Sequence, residues 1–195
     1  MKSKIFLMRI TACVITTLLI MLLANKSFSQ KGAYAGLSFT VESSGNGFQP
    51  GTGVVFERQA TKHSGIETGL YYHNYVFSGD IIYTDSTGSR FFPFTLSERH
   101  LTIPGLYKFY SRIVNVSAGP AFDFYTGWKQ RAKSPGVTVN NYTIDPAFKV
   151  GFFAKVSKRI KLSDDFLLEP EIRINPVFNS SRYYAGFGIA GKYKL

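Results

Sequence analysis

From Ala33 to the C-terminus, apolar residues alternate one by one with polar or small residues in repeated short blocks. Period two marks a β-strand with unlike faces, and the 3.6-residue period of a helix is scarcely present. Eight blocks emerge. In Ala33–Val41, Ala35, Leu37, Phe39 and Val41 share one face, with Tyr34, Gly36, Ser38 and Thr40 on the other. Gly51–Gln59 follows. Gly65–Phe77 sets Ile66, Leu70, Tyr72 and Val76 against Glu67, Gly69, Tyr71 and His73. The fourth block, from about Ser97 to Phe109, sets Leu101, Ile103, Tyr107 and Phe109 against His100, Thr102 and Lys108. Ile113–Tyr125, Pro146–Val156, Phe166–Pro176 and Tyr183–Leu195 repeat the design. Their polar faces carry Asp123, Lys149, Lys155, Glu169, Glu171, Arg173, Lys192 and Lys194.

The composition of the two faces selects the class. A soluble sandwich turns its oily face to a core and its polar face to water. Here the polar face mixes glycines and small residues with single charges, which suits the crowded inside of a narrow barrel. The aromatic and aliphatic face then meets lipid, the inverted arrangement of a membrane barrel. Closure lets every backbone N–H and C=O pair with a neighbouring strand. The predicted fold is all-β: an eight-stranded antiparallel up-and-down transmembrane β-barrel. The alternative is a soluble periplasmic lipocalin-like barrel, in which Leu37, Phe152 and Ile189 would pack together inside.

Connection lengths and aromatics agree with the membrane form. Three links on one side are long, Glu42–Pro50, Ser78–Leu96 and Thr126–Asp145. Those on the other side are short, Ala60–Ser64, Tyr110–Arg112 and Ser157–Asp165. Long outer loops and short periplasmic turns are the rule for bacterial barrels. Tyr75 with Phe77, the Phe91, Phe92 and Phe94 group, and Tyr125 with Trp128 stand at predicted strand ends, where interfacial girdles belong. Pro104, Pro120 and Pro170 oppose the pattern, because a closed barrel has no free edge. They are expected to need bulges or frayed rims.

The first 29 residues read differently. Lys2, Lys4 and Arg9 precede an uncharged run from Ile10 to Ala24, and Ser27-Phe28-Ser29 offers small residues before a cut at Gln30. That is the pattern of a secretory signal peptide, giving a leader over 1–29 and a barrel domain over 30–195. An uncleaved anchor helix is the competing reading, but the run is short for one. Ile10-Thr11-Ala12-Cys13 resembles a lipobox, yet Arg9 leaves almost no apolar stretch before it. Removing Lys2, Lys4, Arg9 and Lys26 leaves 19 basic against 12 acidic residues, net +7, in place of +11. The single cysteine, Cys13, leaves with the leader, so disulfides and Cys-rich metal sites are excluded. With 45% hydrophobic and 16% aromatic residues, a disordered chain is excluded as well.

The run Arg99-His100-Leu101-Thr102-Ile103-Pro104-Gly105-Leu106-Tyr107-Lys108-Phe109 resembles a strand of the outer-membrane β-barrel family abundant in Bacteroidota, which includes the barrel of the secretion-associated protein PorT. Ile66-Glu67-Thr68-Gly69-Leu70-Tyr71-Tyr72 is similar to another strand of that family, and the Ser29-Gln30 junction resembles exported proteins of these bacteria. Position 105 is Gly where the family has a large aliphatic, and the last residue is Leu rather than an aromatic. The resemblance implies an eight-stranded barrel, export to the outer membrane and no catalytic residues to carry over.

Candidate chemistry is sparse. His63, His73 and His100 have no metal-ligand spacing, and no phosphate-binding loop or nucleophile-elbow motif occurs. His63-Ser64 has no evident acidic partner, which leaves a lipid-modifying barrel enzyme as the alternative activity. The charges on the polar faces are more informative. Glu57, Glu67, Glu169 and Glu171 are expected to share the lumen with His100, Lys108, Lys149, Lys155, Arg173, Lys192 and Lys194. An eight-stranded barrel holds little more than its own side chains, so opposite charges there are expected to pair into a plug. A substrate path or ion pore is the alternative. No cofactor or metal is expected. Expected partners are outer-membrane lipid, the barrel-assembly machinery through the C-terminal strand, and an envelope protein through the outer loops. Lys129, Arg131 and Lys133, and Lys158, Arg159 and Lys161, suit solvated loops or anionic headgroups rather than nucleic acid. The expected role is non-enzymatic: envelope structure, surface interaction, or help to secretion or uptake.

Overall fold

The structure, a computed structural model, describes residues 32–43, 46–85, 88–133, 142, 146–180 and 182–195. The proposed leader and Lys133's side chain lie outside what it describes, as does most of the 134–145 segment. The described residues form nine strands: β1 (Ala33–Ser43), β2 (Phe48–Gln59), β3 (Ser64–Asp85), β4 (Gly88–Tyr110), β5 (Asn115–Lys133), β6 (Phe148–Ser157), β7 (Ile160–Lys161), β8 (Phe166–Pro176) and β9 (Tyr183–Lys194). Each pairs antiparallel with its predecessor from β1 to β6; β6 then pairs with β8, β8 with β9, and β9 returns to β1. The two-residue β7 continues β6. Ser157 lies opposite Glu171, Lys158 N–H donates to the Pro170 carbonyl at 3.1 Å, and Ile160 lies opposite Leu168, all in one register. The ring therefore has eight strands.

The oily face points outward. Leu37, Phe152 and Ile189 are 56%, 41% and 42% exposed, while Ser38, Thr40, Lys155 and Lys192 are buried. Hydrocarbon, not water, is the medium such a surface fits, and the lipocalin-like alternative falls on these three side chains. Val76, expected on the oily face, is buried, with its carbonyl accepting from Asn46 N–H at 2.7 Å.

The long outer links are corrected. Most of Ser78–Leu96 is strand, because β3 and β4 run on as a hairpin from Ser78 opposite Thr95 to Asp85 opposite Gly88. β5 likewise extends to Lys133, and the Glu42–Pro50 link shortens as β1 and β2 pair out to Ser43 and Phe48. Beyond the bilayer the apolar alternation weakens, but ladder hydrogen bonds do not need it.

The prolines are a second correction, since none forces a register shift. Pro104 keeps its place opposite Ala121 on β5, yet its pairings with β3 lapse between Thr68–Gly105 and Tyr71–Thr102. Thr68 Oγ1 donates to the Pro104 carbonyl at 2.7 Å across that lapse. Pro120 stays opposite Phe152, and Pro170 opposite Ile189. A strand residue directs its N–H to one neighbour only, so a proline forfeits bonds on one side and keeps the other ladder. The bulges lie instead at Thr95/Leu96 and Arg99/His100.

Glycines allow the wall to curve tightly. A Cβ on Gly186 would strike the Val41 carbonyl oxygen, whereas one on Gly105 would meet open space. Gly186→Val is therefore expected to abolish most of the folded, heat-modifiable band in refolding gels, while Gly105→Ala leaves it at the wild-type level.

Candidate functional site

Inward-facing charges from six strands meet in the lower half of the barrel. Lys108 on β4 donates from Nζ to Glu57 at 2.9 Å and Glu67 at 3.0 Å, and also to Glu169. Lys192 on β9 donates to the same three residues, at 2.7, 3.1 and 2.5 Å. β4 and β9 stand on opposite sides of the ring, so two lysines from facing walls share one Glu57 oxygen, Oε2. Glu67 and Glu169 likewise come from the facing strands β3 and β8. The lumen is thus cross-braced from wall to wall. Both lysines are 0% exposed.

The brace extends sideways. Lys155 pairs with Glu67 and, at 2.7 Å, with Glu171. Arg173 joins Glu171 at 3.5 Å to Glu42 at 2.6 Å, its guanidinium 4.7 Å from the Tyr71 ring centre. Below, Arg159 pairs with Glu57 and lies 4.3 Å over the Tyr110 ring, whose hydroxyl donates to Glu57 at 2.7 Å. Glu57, Glu67 and Glu169 bring ligand oxygens close enough to hold a cation, but the two ammonium groups already fill that position.

A second tier sits above. His73 donates from Nδ1 to Glu42 at 2.5 Å and stacks on Tyr184 at 4.7 Å. His100 faces Asp123 through Nδ1 at 2.7 Å and Glu98 through Nε2 at 3.1 Å. Ionised carboxylates only accept, so this pair of contacts favours protons on both ring nitrogens, the imidazolium form of His100. Thr102 donates to Asp123 at 2.8 Å. Arg182 donates to Glu98 at 2.8 Å, and the Tyr142 hydroxyl donates to the same carboxylate. Burial first, then that carboxylate, raises the Tyr142 hydroxyl above the usual phenol range. The interior network then sets seven carboxylates (Glu42, Glu57, Glu67, Glu98, Asp123, Glu169, Glu171) against Lys108, Lys155, Lys192, Arg159, Arg173, Arg182 and the His100 imidazolium. The charges balance.

Of the residues expected in the lumen, Glu57, Glu67, His100, Lys108, Lys155, Glu169, Glu171, Arg173 and Lys192 are brought together. Lys149 is only half-buried, opposite Asp123 in the ladder, and Lys194 is exposed at the rim. Sequence reasoning missed Glu42, one residue past the first block, and Glu98, which lies inside the fourth block; each continues an inward alternation, that of Ser38–Thr40 and that of Thr102–His100. Arg159, Arg182 and Tyr142 lie outside the main strands, and no periodicity marks them. His63 Nδ1 lies 3.4 Å from the carbonyl of Tyr110 at the end of β4, and Ser64 Oγ lies 2.7 Å from Thr61 Oγ1 in the same turn.

No protein-family model matches the chain, and no curated protein matches it in sequence. Among solved structures, it is similar to the outer membrane protein OprG of Pseudomonas aeruginosa, with a TM-score of 0.55 at 8% identity over 86% of this chain and 98% of that one. It is also similar to a major outer membrane protein of Thermus thermophilus, with a TM-score of 0.51 at 15% identity over 85% and 100% of the two chains. These likenesses concern the fold. Together with the oily outer belt, the closed ring and the polar interior, they give the chain the fold of an eight-stranded membrane-spanning β-barrel.

Removing one partner from a buried ion cluster leaves charge without a counter-ion, at a cost of about 3–5 kcal/mol. Lys192→Met is expected to lower unfolding stability by about that amount in urea titrations of the lipid-reconstituted barrel. Glu67→Lys is expected to destabilise the barrel without creating conductance in planar bilayers; a new conductance contradicts the cross-brace.

Proposed function

We propose that the chain is a non-enzymatic barrel of the PorT-like group of Bacteroidota, exported by its leader, with a closed lumen and an outer hairpin that contacts another envelope component. The observation that carries this is the split between the ends of the wall. The lumen is locked by the lysine–glutamate brace, while the β3–β4 hairpin continues well past the belt. That hairpin pairs Ile82 with Phe91, and these side chains are 60% and 63% exposed. Oily side chains held in water on a projecting ladder favour a protein partner. Accessory roles in secretion or uptake fit the same geometry, with the assembly machinery engaging β9 during insertion.

The non-enzymatic reading is supported by the histidines. His73 and His100 face carboxylates inside the barrel, and His63 faces the Tyr110 carbonyl. The Arg99–Phe109 and Ile66–Tyr72 runs support the family assignment.

The test places a photo-crosslinking residue at Phe91 in living cells. A discrete crosslinked envelope protein is expected there and not from Phe152 in the lipid belt. Equal, diffuse labelling from both positions counts against the surface-contact role. Release of fatty acid from lipid by the purified barrel counts against the absence of catalysis.

A further inference from the structure

The outer surface of β3–β5 carries a second charged assembly, independent of the lumen. Climbing the wall, Tyr72, Leu101 and Phe124 stand level in the ladder and end the apolar band on these strands. The next row is Asn74, Arg99 and Gly127, and the row above it Val76, Ser97 and Lys129, of which Val76 and Ser97 are buried and Lys129 is exposed.

A bulge decides what this region presents. Up to Asp123, odd-numbered residues of β5 face the lumen, and unbroken alternation would send Lys129 and Arg131 inward as well. At Arg99/His100 the register shifts, with Arg99 opposite Gly127 and His100 opposite Tyr125, so Thr126 is an extra residue. Gly127 takes φ 152° there, in the region open chiefly to glycine. The facing then reverses. Trp128 turns to Tyr142, 5.9 Å between ring centres, and Tyr142 reaches the interior carboxylate of Glu98. Lys129 and Arg131 emerge outside beside Arg99, all three exposed.

With Tyr72, Asn74 and Ser97 these cations line an open cleft of about 360 Å³. Among the described residues no carboxylate pairs with Arg99, Lys129 or Arg131, whereas the six lysines and arginines of the interior network are each matched. Three like charges held together without a counter-ion favour a multiply charged anion, and guanidinium geometry suits phosphate. Directly below, Leu101, Phe122 and Phe124 offer an oily wall. A ligand spanning both regions carries phosphate on acyl chains. Tyr72 and Asn74, half-buried on the same face, give the cleft a neutral polar floor of the kind that sugar hydroxyls suit.

We propose that Arg99, Lys129 and Arg131 form a binding site for the phosphate of a phosphorylated, acylated glycolipid in the outer leaflet, with its chains lying on Leu101, Phe122 and Phe124. The site rests on the transmembrane reading, and it is independent of the hairpin's partner.

The test titrates the full-length folded barrel, in neutral detergent, with diphosphoryl lipid A and with phosphatidylcholine of equal chain length, read by native mass spectrometry. The wild type is expected to bind lipid A at least tenfold more tightly. Arg99→Gln/Lys129→Gln/Arg131→Gln is expected to lose that preference, and Arg99→Lys/Arg131→Lys to keep most of it. A heat-dependent gel shift reads folding separately. If the triple variant does not fold, the wild type still decides: raising NaCl from about 0.05 to about 0.5 M must weaken lipid A binding, because screening shortens the reach of these charges. No preference in the wild type, equal binding by the folded triple variant, no salt response, or displacement of lipid A by equimolar inorganic phosphate overturns the proposal.

Discussion

Everything in this barrel depends on the shared carboxylate oxygen of Glu57, where lysines from opposite walls meet. A membrane barrel has its oily surface outside, so burial from water does not hold its interior together. The interior must instead be polar, and ions taken out of water are tolerated only when matched in charge and position. Lys108, Lys155, Lys192, Glu57, Glu67 and Glu169 satisfy that condition from six strands at once. A slip of one residue in any of these strands would turn its charge to lipid. The brace therefore fixes register around the ring as well as spanning its bore.

The upper tier follows the same rule with softer groups. His100 supplies the cation that the Arg and Lys count lacks, and it does so between two carboxylates. Arg182, beyond the end of β8, closes over Glu98 from above. The lumen is crossed at one level by lysine–glutamate pairs and at the next by a histidine held between two carboxylates.

The ladder shows where a closed wall can yield. Pro104, Pro120 and Pro170 each give up bonds to one neighbour and leave register intact. The real interruptions come higher, at Thr95/Leu96 and Arg99/His100, where the strands leave the belt. There one extra residue changes which face of β5 meets the outside. The lumen gains Trp128 and the outer surface gains Lys129 and Arg131.

Alternation alone determined the class, the eight-strand count, most of the inward set and most of the membrane-facing residues, because a period of two assigns each side chain a face. Leu37, Phe152 and Ile189 lie outside and Glu67, Lys108 and Lys192 inside for that reason. What alternation cannot express is distance across the ring or a change of phase. Only the closed tertiary structure set Lys108 against Lys192, recruited Arg159 and Arg182 from outside the main strands, and extended β3 and β4 into a hairpin. Only the bulge at Gly127 reversed the facing of Lys129. Partners across a lumen are chosen by closure, and closure is a property of the whole ring rather than of any one strand.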